Sequence, residues 1–137
     1  MKRSFTNLIL LLACSVIATA VTNVAPNSSL VFKSQMHDFG RVGINDGPVS
    51  WEFEFVNESD SVVNIIGAMS ACGCTIPEYP HEPIAPGQTG KVKVTFKPYG
   101  RPAEPFEKTI TLRTSGSPSV VKLTVKGESV ENVKIWQ

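Results

Sequence analysis

Apolar and polar residues alternate one by one along most of this chain, and that period of two constrains its fold more than any other feature. Val49, Trp51, Phe53 and Phe55 alternate with Ser50, Glu52 and Glu54, while Val92, Val94 and Phe96 alternate with Lys91, Lys93, Thr95 and Lys97. Ile110 and Leu112 lie between Thr109, Thr111 and Arg113, and Val121, Leu123 and Val125 between Lys122, Thr124 and Lys126. Successive side chains of a strand point to opposite faces, so each run buries one face and wets the other. No helical period occurs after Leu30, and no internal repeat or low-complexity segment is visible.

Turn residues separate the runs at Asn57 to Ser61, Pro86 to Gly90, Pro98 to Pro105 and Ser115 to Pro118. These residues fix φ, permit positive φ or bond their own backbone. With Leu30 to Lys33, Met36 to Val42 and Asn64 to Ala71 added to the four alternating runs, the sequence predicts about seven strands. That number suits a small antiparallel β-sandwich, with a barrel as the lesser alternative. Gly40 and Gly43 are expected to let the first long strand bulge, and Trp51 and Phe53 to lie in the core.

Residues 1–20 read as a signal peptide. Lys2 and Arg3 precede an apolar stretch from Leu8 to Ile17, and Ala18-Thr19-Ala20 is a small-residue cleavage site. The apolar stretch gives way to Thr22, Asn23 and Pro26 before it reaches the ~20 residues of a membrane span. Export to the periplasm or the extracellular space is therefore expected. Leu11-Leu12-Ala13-Cys14 also resembles a lipobox, and acylation of Cys14 would give a lipid-anchored alternative, the one route by which a membrane would be a partner. Residues 21–29 form a linker, 30–128 one β-sandwich domain and 129–137 a C-terminal tail, in which Trp136 either covers an edge or meets a partner. Without Lys2 and Arg3, 11 basic residues face 12 acidic ones and no basic run occurs, which excludes nucleic acid as an expected partner.

Five segments carry a family resemblance: His37-Asp38-Phe39-Gly40, Phe55-Val56-Asn57, Cys72-Gly73-Cys74-Thr75, Ile84-Ala85-Pro86-Gly87 and Val94-Thr95-Phe96-Lys97-Pro98. In order and spacing they resemble the bacterial family catalogued as domain of unknown function 1573, over about Leu30 to Glu128. The resemblance implies an immunoglobulin-like sandwich related to the Hydin and major sperm protein group, exported, serving as a binding or scaffolding module with no established reaction. Ala103-Glu104 stands where family members often carry a glycine.

Cys72 and Cys74 are the only cysteines beyond the leader, and one residue apart they can share an oxidant, a metal ion or a bond. Three readings stay open. A disulfide suits an oxidising compartment, but two extended steps put the α-carbons roughly 6.6–7 Å apart, so the ring needs a bend that Gly73 would supply. A redox-active pair needs a helix amino terminus or a cation beside the attacking thiol, and neither is visible near Cys72 in the sequence. A soft-metal site, copper(I) above all, needs further ligands. Met69 is expected in the core instead, and His37 and His81 are weak candidates that would complete a zinc-like set. His37 is expected to bond its neighbouring backbone or Asp38.

Catalysis is not expected. Glu52 and Glu54 belong to the polar face of a strand, and neither a serine–histidine–acid pattern nor a phosphate loop stands out. Asn27-Ser28-Ser29 and Asn57-Glu58-Ser59 match the glycosylation pattern, idle in a bacterial family. The reading is an exported, non-enzymatic module that binds another protein or an envelope component, without a cofactor. The alternatives are copper held by Cys72 and Cys74, and thiol–disulfide exchange at the same pair.

Overall fold

A computed structural model describes residues 28–131. The expected signal peptide with its expected cleavage site at Ala20, Cys14, Asn27 and Trp136 lie outside the described residues. Eight strands follow one another: β1 (Leu30–Phe32), β2 (Met36–Gly43), β3 (Val49–Asn57), β4 (Ile65–Ser70), β5 (Thr75–Glu78), β6 (Thr89–Phe96), β7 (Pro105–Thr114) and β8 (Val120–Val130). They form two four-stranded sheets, ordered β1-β3-β6-β5 and β2-β8-β7-β4. The class is the expected all-β sandwich.

Alternation sets the registers. In the first sheet Phe53 lies opposite Val92 and Trp51 opposite Val94, while Glu54 faces Lys91 and Glu52 faces Lys93 on the wet side. Lys91 reaches diagonally to Glu52 at 2.7 Å, and Lys33 pairs with Glu54. In the second sheet Ile110 faces Leu123 and Leu112 faces Val121. The inward side chains of both sheets meet in one aliphatic and aromatic core, where Val92, Val94, Ile110, Leu112, Leu123 and Val125 are fully buried. Gly90 faces Phe55, and a Cβ there would stand 2.5 Å from the Phe55 ring, so the close approach of that ring requires glycine.

Three features depart from the sequence expectation. The eighth strand, β5, is short and contains Pro77, which an edge strand tolerates because no neighbour needs its missing N–H. The sheets are not wholly antiparallel, since β2 pairs with β8 in parallel. That ladder shifts register between Asp38 and Arg41, around Gly40 at φ +66°, where Asp38 Oδ1 accepts the Gly40 N–H at 2.7 Å. β8 also runs on through Val130, which is buried, past the expected start of the tail.

Asn57, at the end of β3, is fully buried. Its amide donates to the carbonyls of Ser61 at 2.8 Å and Ile84 at 2.9 Å, and its side-chain oxygen accepts from the N–H of Ser59 at 3.0 Å. Both amide hydrogens are thus used inside the protein. A glycosylation acceptor needs an exposed, free amide; this one ties two loops together instead.

Candidate functional site

The cysteine pair sits where β4 passes to β5, at one end of the sandwich. The chain leaves β4 at Ser70 and turns, with the Thr75 N–H donating to the Cys72 carbonyl at 3.1 Å and the Lys97 N–H to the Cys74 carbonyl at 2.7 Å. This turn, rather than an extended strand, brings the two α-carbons to 5.2 Å, within the usual disulfide range, and the sulfurs are bonded. Gly73 is not what permits it. Gly73 is absent from the positive-φ glycines of the described residues, and a Cβ on it would meet nothing within 4 Å.

The two sulfurs have unlike surroundings. Cys74 is buried, packed with Val42, Phe96 and Phe106 in a small second core whose two rings stack at 4.0 Å. The hydroxyl of Thr75 lies 3.7 Å from Cys74 Sγ. Cys72 is half-buried, and two donors meet its sulfur: the Cys74 N–H at 3.2 Å and Arg101 Nη2 at 3.0 Å. The expectation that no cation stands near Cys72 is therefore corrected. Arg101 comes from the loop after β6, where the Arg101 N–H donates to the Pro98 carbonyl at 3.1 Å and Gly100 sits at φ +66°. A four-residue turn with positive φ at its third position favours glycine, so Pro98-Tyr99-Gly100-Arg101 is a local device that delivers a guanidinium to a sulfur.

The other candidates lie elsewhere. The His37 ring stacks on Trp51 at 3.7 Å, nearly parallel, and meets Phe39 edge-on at 4.8 Å, so it joins β2 of one sheet to β3 of the other. Burial pushes its imidazole below the ordinary value of 6.5, against the opposing pull of Asp38. Trp51 is 43% exposed, a correction to its expected place in the core: it shares the inner face of β3 with Phe53 but lies towards the strand's outer end, beneath His37. His81 is exposed and packs against Tyr79. Among the described residues no three His, Cys, Asp or Glu side chains are gathered as metal ligands, so copper at this pair would rest on the two cysteines in their reduced form.

Met69 is 65% exposed and not a core residue. The β4–β7 ladder shifts register between Ile65 and Gly67, which turns Ile65 and Ala68 inward and Ile66 and Met69 outward. A one-residue slip exchanges the faces of a strand, and the sequence of β4 alone does not show where the slip falls.

Two four-stranded sheets packed face to face define an immunoglobulin-like sandwich. Three solved structures share it at low identity. One is a protein of unknown function from Porphyromonas gingivalis W83 (TM-score 0.63, 12% identity, 74% of this chain and 46% of that one). Another is an ASH/PapD-like domain of human CEP192 (0.62, 11%, 79% and 89%). A third is the Vibrio cholerae VesB protease (0.56, 15%, 74% and 31%). The chain therefore spans less than half of the first and about a third of the protease, and at these identities the likeness is one of fold. No curated protein matches the sequence. The chain belongs to the family described as "Protein of unknown function (DUF1573)", which matches residues 30–129.

Proposed function

We propose that this protein is an exported, non-catalytic immunoglobulin-like module that binds an extended segment of another envelope protein along β4. The observation that carries this reading is a contrast among the sheet edges. β1 is only three residues long, β5 contains Pro77, and β2 carries the charges of Asp38 and Arg41, all devices that discourage strand addition. β4, Ile65-Ile66-Gly67-Ala68-Met69-Ser70, has no charge and no proline, and it exposes Ile66 (62%) and Met69 (65%) beside an edge that no strand of the described residues pairs. Main-chain hydrogen bonds to that edge would supply affinity, and pockets for alternate side chains specificity. The leader over residues 1–20 supports export, and the near-neutral charge suits a protein partner better than a nucleic acid.

Photo-crosslinking in cells that export the protein tests the reading. A crosslinker at Met69 should give one dominant adduct that Ile66→Lys in the same chain abolishes, while a crosslinker at Lys122 on β8 gives none. Equal labelling from both positions, or an adduct that the charged edge leaves unchanged, would refute it.

A further inference from the structure

The surroundings of the disulfide differ from those of a structural staple in three respects. A guanidinium and a backbone N–H both donate to Cys72 Sγ, at 3.0 and 3.2 Å. Cys72 is half-buried while Cys74 is 6% exposed, so an incoming group reaches the former sulfur first. The bridge closes a loop of three residues, which removes only about 1.6 kcal/mol of unfolded-chain entropy.

We propose that Cys72–Cys74 is a thiol-exchange site for cysteinyl thiols, in which Cys72 forms the mixed disulfide, Arg101 holds its thiolate and Cys74 resolves it. In the reducing direction a cysteinyl thiolate attacks Cys72 Sγ. The new sulfur–sulfur bond forms as the Cys72–Cys74 bond breaks, and the electron pair departs on Cys74 Sγ, which takes up a proton from solvent. A second cysteinyl thiolate then attacks the sulfur of the first. Its electron pair leaves on Cys72 Sγ, where Arg101 and the Cys74 N–H receive the charge. Two external thiols are oxidised to one disulfide and the protein disulfide is reduced by two electrons. The reverse sequence oxidises an external dithiol. Thiolates, not thiols, carry every attack; exposure selects Cys72 for the first one, and the cation beside it makes Cys72 the leaving thiolate of the last. The site begins two residues past the end of β4, and the exchange does not depend on strand addition there.

Reduced, full-length mature protein treated with limiting iodoacetamide at pH 7 provides the test, with the modified cysteine mapped by peptide mass. The reduced chain should keep its β-sheet circular dichroism and alkylate at Cys72 about tenfold faster than at Cys74. Arg101→Met should slow Cys72 several-fold at pH 7 and move half-maximal alkylation to higher pH, and Arg101→Lys should restore part of the difference. Cys74→Ser, mixed with glutathione disulfide, should hold one glutathione on Cys72, whereas the reduced wild-type chain should discharge it and close its own disulfide. Loss of fold on reduction, equal alkylation of the two cysteines, or an Arg101→Met profile superimposable on the wild type would each overturn the proposal.

Discussion

The two apolar clusters of this domain are built differently. The large one lies under the middle of both sheets, is dominated by branched aliphatic side chains, and receives residues from six strands, with the loop residues Val63 and Ile84 joining it. The small one, at the end of the sandwich, consists of Val42, Cys74, Phe96 and Phe106, and its buried sulfur is bonded to a half-buried one. One cluster fills the middle of the sandwich; the other seats a disulfide at the rim. The difference teaches that a small sandwich can place a sulfur bridge against packed rings without giving up its central core.

Core truncations should break the contrast most visibly. Phe53→Ala, at 1% exposure in the large cluster, is expected to lose about 3–5 kcal/mol in urea denaturation, a large part of a domain's usual margin of about 5–15 kcal/mol. Phe106→Ala in the small cluster should lose less, because that side chain is 8% exposed at the rim and its site can relax. Equal losses would mean that the end cluster is as essential to folding as the centre. Asn57→Ala comes next: it removes one donor from each of the Ser61 and Ile84 carbonyls and the acceptor of the Ser59 N–H, and is expected to cost about 1–3 kcal/mol in the same assay.

Replacing both Cys72 and Cys74 by serine should lower stability by about 1.6 kcal/mol or less, with an unchanged circular dichroism spectrum. A much larger loss would make the bridge a staple and merge the roles of the two clusters. The smallest effect belongs to His37. Its folded imidazole titrates below 6.5, so the unfolded chain takes up the proton first. Its contribution is therefore fully present above about pH 6.5 and is lost as the pH falls from there through the folded value. A melting-temperature series from pH 8 to 5 should show this small decline, and His37→Phe should flatten it. The carboxyl of Glu54, held low by its hydrogen bond with Lys33, begins its own decline only below about 4.5, outside that window.

The sandwich was legible because alternation is a local signal: the registers that pair Phe53 with Val92 and Ile110 with Leu123 follow from it. Where a strand is short or bulged the signal fails. β5 has four residues with a proline among them, and the slip at Ile65–Gly67 reverses the later faces of β4, which put Met69 outside. The cysteine pair was equally plain, but the cation beside it was not, because Arg101 lies 29 residues further along the chain. The pattern of a proline and glycine turn ending in arginine was visible; that it folds back onto Cys72 depends on how β6 aligns with β5, which no local pattern fixes. Trp51 misled for another reason, since alternation gives a residue's face but not its depth along the strand.

The parallel pairing of β2 with β8 also has a mechanical meaning. A pull on the two ends of the domain enters through the three-residue β1 and then draws β2 and β8 past each other lengthwise. In that geometry the rungs of the ladder share the load together instead of opening one at a time. Stretched between its ends in a single-molecule instrument, the domain should give way in one abrupt rupture, and a gradual, stepwise extension would show that this ladder does not bear the force.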